Sequence, residues 1–289
     1  MRIYPDCFPC FFKQVLIAFR LNPECSHLEE AALKSICDDI KTADLSLSPA
    51  HTTTRIHRRL RELMGKDPFG KIKSEYNQLA LRLYPELRSL VDKSPDPLWT
   101  AARIAIAGNI IDFGIFTSID INSTIKKALD EKIAVDDYSL FRKSLLESKE
   151  VMYLLDNAGE IVFDRILIET IKAMGVNVTA VVKGSAVLND VTMADAEESG
   201  LSTVCRVIDN GSDAIGTILD MSSPEFVQEF DQAKYIISKG QGNFETLHEH
   251  YDQRLAGRDV YYLFQSKCEV VSEVLGLEKG SMMLMKALK

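Results

Sequence analysis

The sequence predicts an α/β protein in which an all-helical N-terminal part precedes a Rossmann-like, doubly wound and mainly parallel sheet. Three observations lead to this prediction. The chain has 289 residues, which is enough for two units of ordinary size. Apolar residues recur with the period of a helix in the first half, and short apolar runs alternate with helical stretches in the second. We therefore expect a helical domain over 1–148 and an α/β domain over 149–289.

Four helices are predicted in the first part from the spacing of their apolar residues. Segment 28–40 places apolar side chains on one helical face, at positions three and four apart. Segments 53–64, 71–84 and 123–129 repeat this pattern, and breakers such as Gly65 separate them. No β-branched run of strand length stands out there, so we expect an all-α unit.

Five strands are predicted in the second part, with helices such as 161–174 between them. The apolar runs are 151–155, 176–182, 203–208, 235–238 and 260–264. Strands that alternate with helices in this way form parallel sheets through βαβ crossovers. Because ligands of such sheets bind beyond the carboxyl ends of the strands, the residues after each run are the candidates for a functional site.

Oxygen and amide groups are abundant at these strand ends. Asp156 and Asn157 follow the first run, Lys183 and then Asp190 follow the second, and Lys239 with a glycine-rich segment follows the fourth. Carboxylate and amide oxygens suit Mg²⁺ or Mn²⁺, and lysines with glycine-rich backbone suit a phosphate. Each motif alone is more typical of a turn or helix cap. Because all of these motifs fall at one edge of the sheet, a ligand-binding site and a set of unrelated helix caps explain them equally well.

Composition narrows the classes of partner. The net charge of −8 argues against nucleic acid and anionic membranes as partners, because both need a basic face. A small phosphorylated metabolite remains compatible, provided that a cation offsets the acidic balance. The first 20 residues contain no secretory signal, and no apolar stretch has the length of a membrane helix, so we expect a cytoplasmic protein. The sequence does not indicate an oligomeric state.

Four motifs resemble the damage-control phosphatase family, formerly known only as domain of unknown function eighty-nine. They are GNIIDFG at 108–114, DNAGE at 156–160, LNDVT at 188–192 and SKGQGNFE at 238–245. The pair Cys7 and Cys10 is similar to the prokaryotic branch of that family, which carries a CxxC motif. The resemblance runs over nearly the whole chain in the family's order. It implies a helical part joined to a Rossmann-like part and metal-dependent hydrolysis of phosphomonoesters, namely sugar phosphates or damaged nucleotides and their precursors.

The resemblance also implies roles for individual residues. The metal ligands would be Asp156, Asn157 and Asp190, holding Mn²⁺, Ni²⁺, Co²⁺ or Mg²⁺, and Lys239 would join them as a catalytic residue that contacts the phosphate. Lys267 is matched less securely, because the family motif Arg-Thr-x-Lys reads Phe264-Gln265-Ser266-Lys267 here. Asn109 and Asp112 would close over the site or, alternatively, form a polar pair between two helices. The remaining expected substrate contacts are Gln241, Gly242, Asn243, Phe244 and Glu245.

Other interpretations of the same residues remain open at this point. A haloacid-dehalogenase-like phosphatase would use Asp156 as nucleophile, but the acid/base expected two residues later is Ala158. We therefore expect direct attack by water, with Glu160 or Asp112 accepting the proton. A Rossmann-like methyltransferase or nucleotide-binding module is the alternative from another class, although the expected glycine-rich turn after the first strand is reduced to Gly159.

The N-terminal cysteines have two interpretations. Cys7 and Cys10 could bind zinc together with Cys25, His27 or Cys37, or they could be ordinary buried thiols. One CxxC motif without a clear second pair favours the thiols.

Overall fold

The computed structural model describes residues 1–110, 129–248 and 254–287, without the side chains of residues 109 and 110. Asp112 and residues 123–128 of the predicted helix 123–129 lie outside the described residues. Among the described residues, no helix combines the length and the apolarity that crossing a membrane requires.

The N-terminal part is helical, as predicted. Two helices differ from their predicted bounds. The helix predicted over 53–64 begins earlier, at Pro49, where the fixed φ of proline suits the first helical turn. The helix predicted over 71–84 continues through Pro85 because Leu87 and Val91 are buried beyond it. The helices are α1 (Cys7–Leu21), α2 (Glu29–Lys41), α3 (Pro49–Met64), α4 (Gly70–Asp92) and α5 (Pro97–Ile110), with a 3₁₀ helix at Pro23–Leu28.

In the described residues, seven strands form one sheet in the spatial order β1-β7-β6-β5-β2-β3-β4. All neighbouring strands are parallel except β6 and β7. The predicted α/β class is therefore confirmed. The strands are β1 (Val135–Asp136), β2 (Glu150–Leu154), β3 (Asn177–Val182), β4 (Arg206–Asp209), β5 (Tyr235–Lys239), β6 (Asp259–Gln265) and β7 (Met282–Lys286). The helices between them are α6 (Tyr138–Glu147), α7 (Glu160–Ala173), α8 (Met193–Glu198), α9 (Pro224–Gln232), α10 (Gly240–Leu247) and α11 (Glu269–Leu275).

Two strands were not predicted. β7 is a buried run of methionine and leucine, residue types that carry little β-propensity signal. β1 has only two residues, and Val135 pairs there with Met283 of β7. Within 1–110 and 129–148, the described residues of the helical part, it is the one strand. Such a short strand has no periodicity that a sequence could reveal.

The strand order reverses on either side of β2. The chain passes from β2 to β3 and β4 on one side, and then returns to β5 on the other side of β2. Leu154 of β2 pairs with Ser238 of β5, so the segments that follow these two strands leave the sheet side by side. A parallel sheet has its ligand crevice at such a reversal, beyond the carboxyl ends of the strands.

One apolar cluster contains residues from both parts of the chain. Ala80 and Ile104 from the helical part share it with Phe163 of α7 and Ile237 of β5. At Gly108, an added Cβ would lie 2.6 Å from Phe163 Cδ2, so the close packing of α5 on α7 requires glycine there. The described residues therefore share a core across residue 149, and the domain boundary at 148/149 stays a prediction.

Candidate active site

The two segments that carry the predicted metal ligands are hydrogen-bonded to each other. The amide of Ala158 donates to Asn189 O over 2.9 Å, and the amide of Val191 donates to Asp156 O over 2.9 Å. Between these bonds, Asn157 and Asp190 form an isolated antiparallel bridge. The structure thus brings Asp156, Asn157 and Asp190 together at the reversal of the strand order.

Two buried carboxylates and one half-buried amide make up this group. Asp156 is 8% exposed and Asp190 is 2% exposed. Asn157 Nδ2 donates to Asp156 Oδ2 at 2.6 Å and to Glu160 Oε2 at 3.3 Å. Because the amide nitrogen is engaged by carboxylates, the amide oxygen is the atom with which Asn157 would bind a cation.

Asp164 Oδ2 and Asp190 Oδ2 are the two buried carboxylate oxygens without a hydrogen bond among the described residues, and Asp190 Oδ2 is the one that lies with the predicted metal ligands. This atom is buried and accepts no hydrogen bond from any described residue, and Lys183 Nζ lies 3.4 Å from it. A buried carboxylate oxygen normally has a donor, because leaving it without one costs free energy. A divalent cation beside Asp190 would bond directly to this oxygen, which Lys183 contacts through a long ion pair.

Burial and the charges of neighbouring carboxylates raise the pKa of both Asp156 and Asp190. Burial raises the pKa of Asp156 well above its ordinary value, with the charges of Glu160 and Asp190 adding to the effect and Lys267 and Lys183 opposing it. Burial also raises the pKa of Asp190, against the opposing charge of Lys183. A divalent cation relieves such repulsion, so the set of donors fits a divalent ion.

The cation shell would need more than carboxylates. Within the described ranges, no group of three or more His, Cys, Asp or Glu side chains is placed to hold a metal ion. The Asn157 amide would therefore serve as the third protein ligand, and oxygens of water and phosphate would complete the shell.

The segment that carries Asp190 is strained. Among the described residues, Leu188 is the one non-glycine residue with positive φ, at 47°. Its side chain packs against the apolar cluster formed by α1, α2 and α3. Strain of this kind persists where surrounding packing imposes it, which is common at functional sites. The helical part therefore helps to fix the segment before Asp190.

Gly240 brings a third segment against the carboxylates. Its φ is +79°, and an added Cβ would lie 1.9 Å from Asp156 Oδ2. No other residue type fits there without moving Asp156. The sequence contained the signal, a glycine directly after a predicted strand, but not its cause.

Lys239 lies beneath this rim rather than on it. Its side chain is fully buried, and Nζ donates to Glu160 Oε1 at 2.5 Å, to Asp164 Oδ1 at 2.6 Å and to Ala105 O at 2.9 Å. The three donors of the ammonium group are thus engaged. The prediction that Lys239 contacts the phosphate stays a prediction, and the geometry favours a role in holding Glu160.

Asp164 belongs to the same buried network and was missed from the sequence. Tyr153 OH donates to Asp164 Oδ1 at 2.7 Å. Burial raises the pKa of Asp164 to about 7, with Glu160 adding to the rise and Lys239 opposing it. Burial disfavours the charge of Lys239, yet Asp164 and Glu160 together raise its pKa. The available signal was the spacing of Glu160 and Asp164, four residues apart on one helical face.

Two other lysines face the carboxylates. Lys183 is buried, and its ammonium group donates to Gly216 O in addition to its ion pair with Asp190. Lys267 is exposed, and its charge opposes the rise of the Asp156 pKa. Both are therefore placed near the crevice in which a phosphate would bind.

The expected substrate segment 241–245 divides into two groups. Gln241 is half-buried, and its side chain donates to Glu245 Oε1 at 2.7 Å and accepts from the amide of Lys267 at 2.8 Å. Gly242 is also half-buried. The accessible side of α10 therefore carries Gln241, Gly242 and Glu245. Lys267 lies beside them, bonded to Gln241.

Asn243 and Phe244 face the interior instead. Asn243 Nδ2 donates to Leu155 O at 3.1 Å and to Lys239 O at 2.8 Å. Phe244 is fully buried and stacks on Phe264 at a centroid distance of 5.0 Å. Their side chains stabilise α10, and their expected contacts with substrate stay predictions.

Two further groups of predicted residues remain untested. Asp112 and the side chain of Asn109 are outside the described residues, so their expected closure over the site stays a prediction. Cys7 is half-buried, Cys10 is exposed, and neither is in a disulfide. Burial raises the pKa of the Cys7 thiol, which favours its neutral form. The assignment to a CxxC branch stays a prediction.

Comparisons with known proteins agree with the geometry. A family model described as "Damage-control phosphatase ARMT1-like domain" matches residues 3–283. The chain is 30% identical to a damage-control phosphatase of Archaeoglobus fulgidus, over 98% of each chain. It is also 35% identical to an uncharacterised protein of Methanocaldococcus jannaschii, over 99% of this chain and 96% of the relative.

A solved structure is similar over its whole length. The crystal structure of a domain-of-unknown-function-89 protein from Pyrococcus horikoshii superimposes with a TM-score of 0.87 and 28% sequence identity, covering 100% of both chains. A damage-control phosphatase of the same organism is 29% identical to this chain, over 99% of this chain and 98% of the relative.

Proposed function

The chain belongs to the damage-control phosphatase ARMT1-like domain family, and we propose that it hydrolyses phosphomonoesters of small metabolites with a divalent cation held by Asp156, Asn157 and Asp190. The family predicted from the four motifs is confirmed. Its membership makes the chain a phosphatase, and the methyltransferase alternative is set aside. The metal, the residues that hold it and the mechanism are our proposal.

One observation carries the proposal. Two buried carboxyl groups with raised pKa values lie together at the crevice of the sheet, and Asp190 Oδ2 accepts no hydrogen bond from any described residue. When bound there, Mn²⁺, Ni²⁺, Co²⁺ or Mg²⁺ would polarise the phosphate and favour ionisation of the attacking water. This donor set is more consistent with a cation site than with a set of helix caps.

The neighbouring residues have separate tasks in this proposal. Lys183 and Lys267 offset the charge of the phosphate, which is a large part of what phosphoryl transfer requires. Gln241 and Gly242 border the space for the rest of the substrate. Glu160 accepts the proton of the attacking water, because it contacts Asn157 and is held in place by Lys239.

Water attacks phosphorus directly in this proposal. Asp156 packs against Gly240, and the position two residues after Asp156 is Ala158, whose side chain cannot transfer a proton. An aspartyl-phosphate route of the dehalogenase kind needs an acid/base at that position. A rapid acid quench with labelled substrate should therefore trap no phosphorylated Asp156, and stoichiometric trapping would restore the covalent route.

The substrate class follows from charge. An acidic chain with a small cationic cluster favours a small phosphorylated metabolite, such as a sugar phosphate or a damaged nucleotide, over nucleic acid or a membrane. The cytoplasmic location stays a prediction.

A chelation experiment tests the proposal. The purified protein is stripped with a chelator and assayed on a panel of sugar phosphates and nucleotides, alone and with each of the four cations. We expect turnover to vanish after chelation and to return with at least one cation. Full turnover in the chelated protein would contradict the metal-dependent mechanism.

A further inference from the structure

Asn77 is a buried amide that the helical part directs toward the catalytic rim. It lies on α4 and is fully buried. Its Oδ1 accepts from the amide of Gly159 at 2.7 Å, and its Nδ2 donates to Asp195 Oδ1 at 3.0 Å and to Glu198 Oε2 at 2.8 Å. The partners fix the amide orientation, because a backbone N–H can only donate and a carboxylate accepts.

The acceptor side of Asn77 holds the segment of Asp156 and Asn157. Gly159 comes two residues after Asn157, has a φ of +78° and directly precedes α7. The first amides of a helix lack partners within the helix and need an acceptor from elsewhere. Asn77 supplies that acceptor to Gly159, so α4 fixes the end of the turn that begins at Asp156.

The donor side holds the segment of Asp190. Asp195 Oδ2 accepts from both the amide and the hydroxyl of Thr192, each at 2.8 Å, which closes the capping box of α8. Thr192 comes two residues after Asp190. Lys73, one turn before Asn77 on α4, adds an ion pair of 2.7 Å to the same Asp195 oxygen.

We propose that Asn77, supported by Lys73, is a positioning residue that sets the spacing between Asp156 with Asn157 and Asp190. This inference rests on the proposed function, because it assumes that these residues share a cation. Their ligand atoms come from two segments, and Asn77 bonds directly to Gly159 at the end of the first and reaches the second through Asp195. A cation shell demands fixed ligand positions, so loosening either segment weakens binding without removing any ligand.

Neither leucine nor aspartate, two residues similar to asparagine in shape, meets the requirements at this position. Leucine would fill the space but offer neither donor nor acceptor. Aspartate would accept from Gly159 but would repel Asp195 and Glu198, both of which accept hydrogen bonds from Asn77.

Titration calorimetry with Mn²⁺ alone tests the inference. The variants are Asn77→Ala and Lys73→Met, and the matched control is Gln78→Ala. Gln78 is the exposed neighbour of Asn77, and its Nε2 donates to Glu198 Oε1 at 2.9 Å without reaching Gly159 or Asp195. We expect the dissociation constant for Mn²⁺ to rise roughly tenfold to a hundredfold in Asn77→Ala, less in Lys73→Met and not at all in Gln78→Ala.

A second readout separates positioning from general stability. At saturating Mn²⁺, kcat of Asn77→Ala should return to within a few-fold of wild type, while the Mn²⁺ concentration for half-activation stays raised. A merely structural residue would lower the melting temperature without moving that concentration. If Asn77→Ala does not fold, Lys73→Met carries the test.

The outcomes are distinct. Wild-type affinity for Mn²⁺ in the folded variants would overturn the positioning role of Asn77 and leave the phosphatase proposal intact. A wild-type protein that binds no Mn²⁺ at millimolar concentration would instead overturn the proposed metal site itself.

Discussion

Two buried lysines lie on either side of β2, and their surroundings differ. Lys239, at the end of β5, donates to two carboxylates and one carbonyl, and is completely enclosed. Lys183, just after β3, donates to Gly216 O and faces an Asp190 oxygen that accepts no hydrogen bond from the described residues. All three donors of the Lys239 ammonium group are engaged at 2.5 to 2.9 Å, whereas Lys183 lies 3.4 Å from its carboxylate partner. The surroundings of each lysine also contain one buried carboxylate oxygen that accepts no hydrogen bond from the described residues, Asp164 Oδ2 near Lys239 and Asp190 Oδ2 near Lys183.

This difference indicates a structural role for Lys239 and a ligand-binding role for Lys183. A network in which every donor has an acceptor rigidifies the fold and offers no position for a ligand. A buried carboxylate oxygen without a donor is costly, and at the crevice of the sheet a bound ligand can supply its missing partner. The pair Lys183 and Asp190 at the crevice is therefore where we expect the cation and the phosphate to bind, and we expect Lys239 to stabilise the fold and to hold Glu160, the proton acceptor of the proposed mechanism.

The largest expected effect is on turnover when Asp190 changes. Asp190→Asn should lower kcat by about 10³-fold or more, because it removes one of two charged ligands. Its folding stability without metal should change little, because burial disfavours the charge of Asp190 whereas the ion pair with Lys183 favours it. The control is Asp209→Asn, which changes the exposed last residue of β4 and should keep wild-type kinetics. Wild-type turnover in Asp190→Asn would show that the ligands are assigned wrongly.

Lys239→Met should mainly affect stability. Removing the ammonium group leaves Glu160 and Asp164 buried together without their shared cation, which costs about 3 to 5 kcal/mol in the free energy of unfolding. Urea unfolding measures this loss. A variant of normal stability with strongly reduced kcat would instead support a direct contact of Lys239 with the phosphate. It would contradict the proposed difference in role between Lys239 and Lys183.

Lys183→Met should have the opposite profile. We expect kcat/KM to fall by about 10- to 100-fold, the effect of losing one charge that stabilises the phosphate. Its loss of stability should be smaller in Mn²⁺ than in chelator, because the cation offsets the charge of Asp190. Equal stability losses for Lys183→Met and Lys239→Met, with unchanged kcat/KM in both, would show that the two lysines do not differ in role.

The smallest expected effect is a change in the pH dependence of stability. The folded-state pKa of Asp164 is about 7 and the ordinary value is 3.8, so the folded state binds more protons between these pH values. Stability from this group is therefore lost as pH rises through that window. Asp164→Asn should flatten the decline by on the order of 1 to 2 kcal/mol. Tyr153→Phe removes a hydrogen bond to the same carboxyl and should keep the slope, and an unchanged slope in Asp164→Asn would refute the assignment.

The parts that sequence predicted well are those with a local signal. β2, β3, β5 and β6 lie within about one residue of their predicted bounds, because buried parallel strands are short continuous apolar runs. Asp156, Asn157 and Asp190 meet as expected, because the carboxyl ends of parallel strands share one edge. Their role as ligands stays a prediction.

The parts that sequence missed depend on contacts between distant segments. Nothing local shows that Lys239 turns inward toward Ala105, or that Asn77 reaches Gly159. Asn77 lies in the helix that was predicted from the spacing of apolar residues. One polar residue within that pattern does not indicate a role in the site. Gly240 is recognisable as a turn residue, but its contact with Asp156 follows only from the pairing of β2 with β5.

Anomalous diffraction from crystals grown with Mn²⁺ tests the central claim most directly. We predict one anomalous peak within coordination distance of Asp156, the amide oxygen of Asn157 and Asp190, and no such peak in crystals of Asp190→Asn. A peak elsewhere in the wild-type protein, such as beside Cys7 and Cys10, with none among these three residues, would contradict the proposed site.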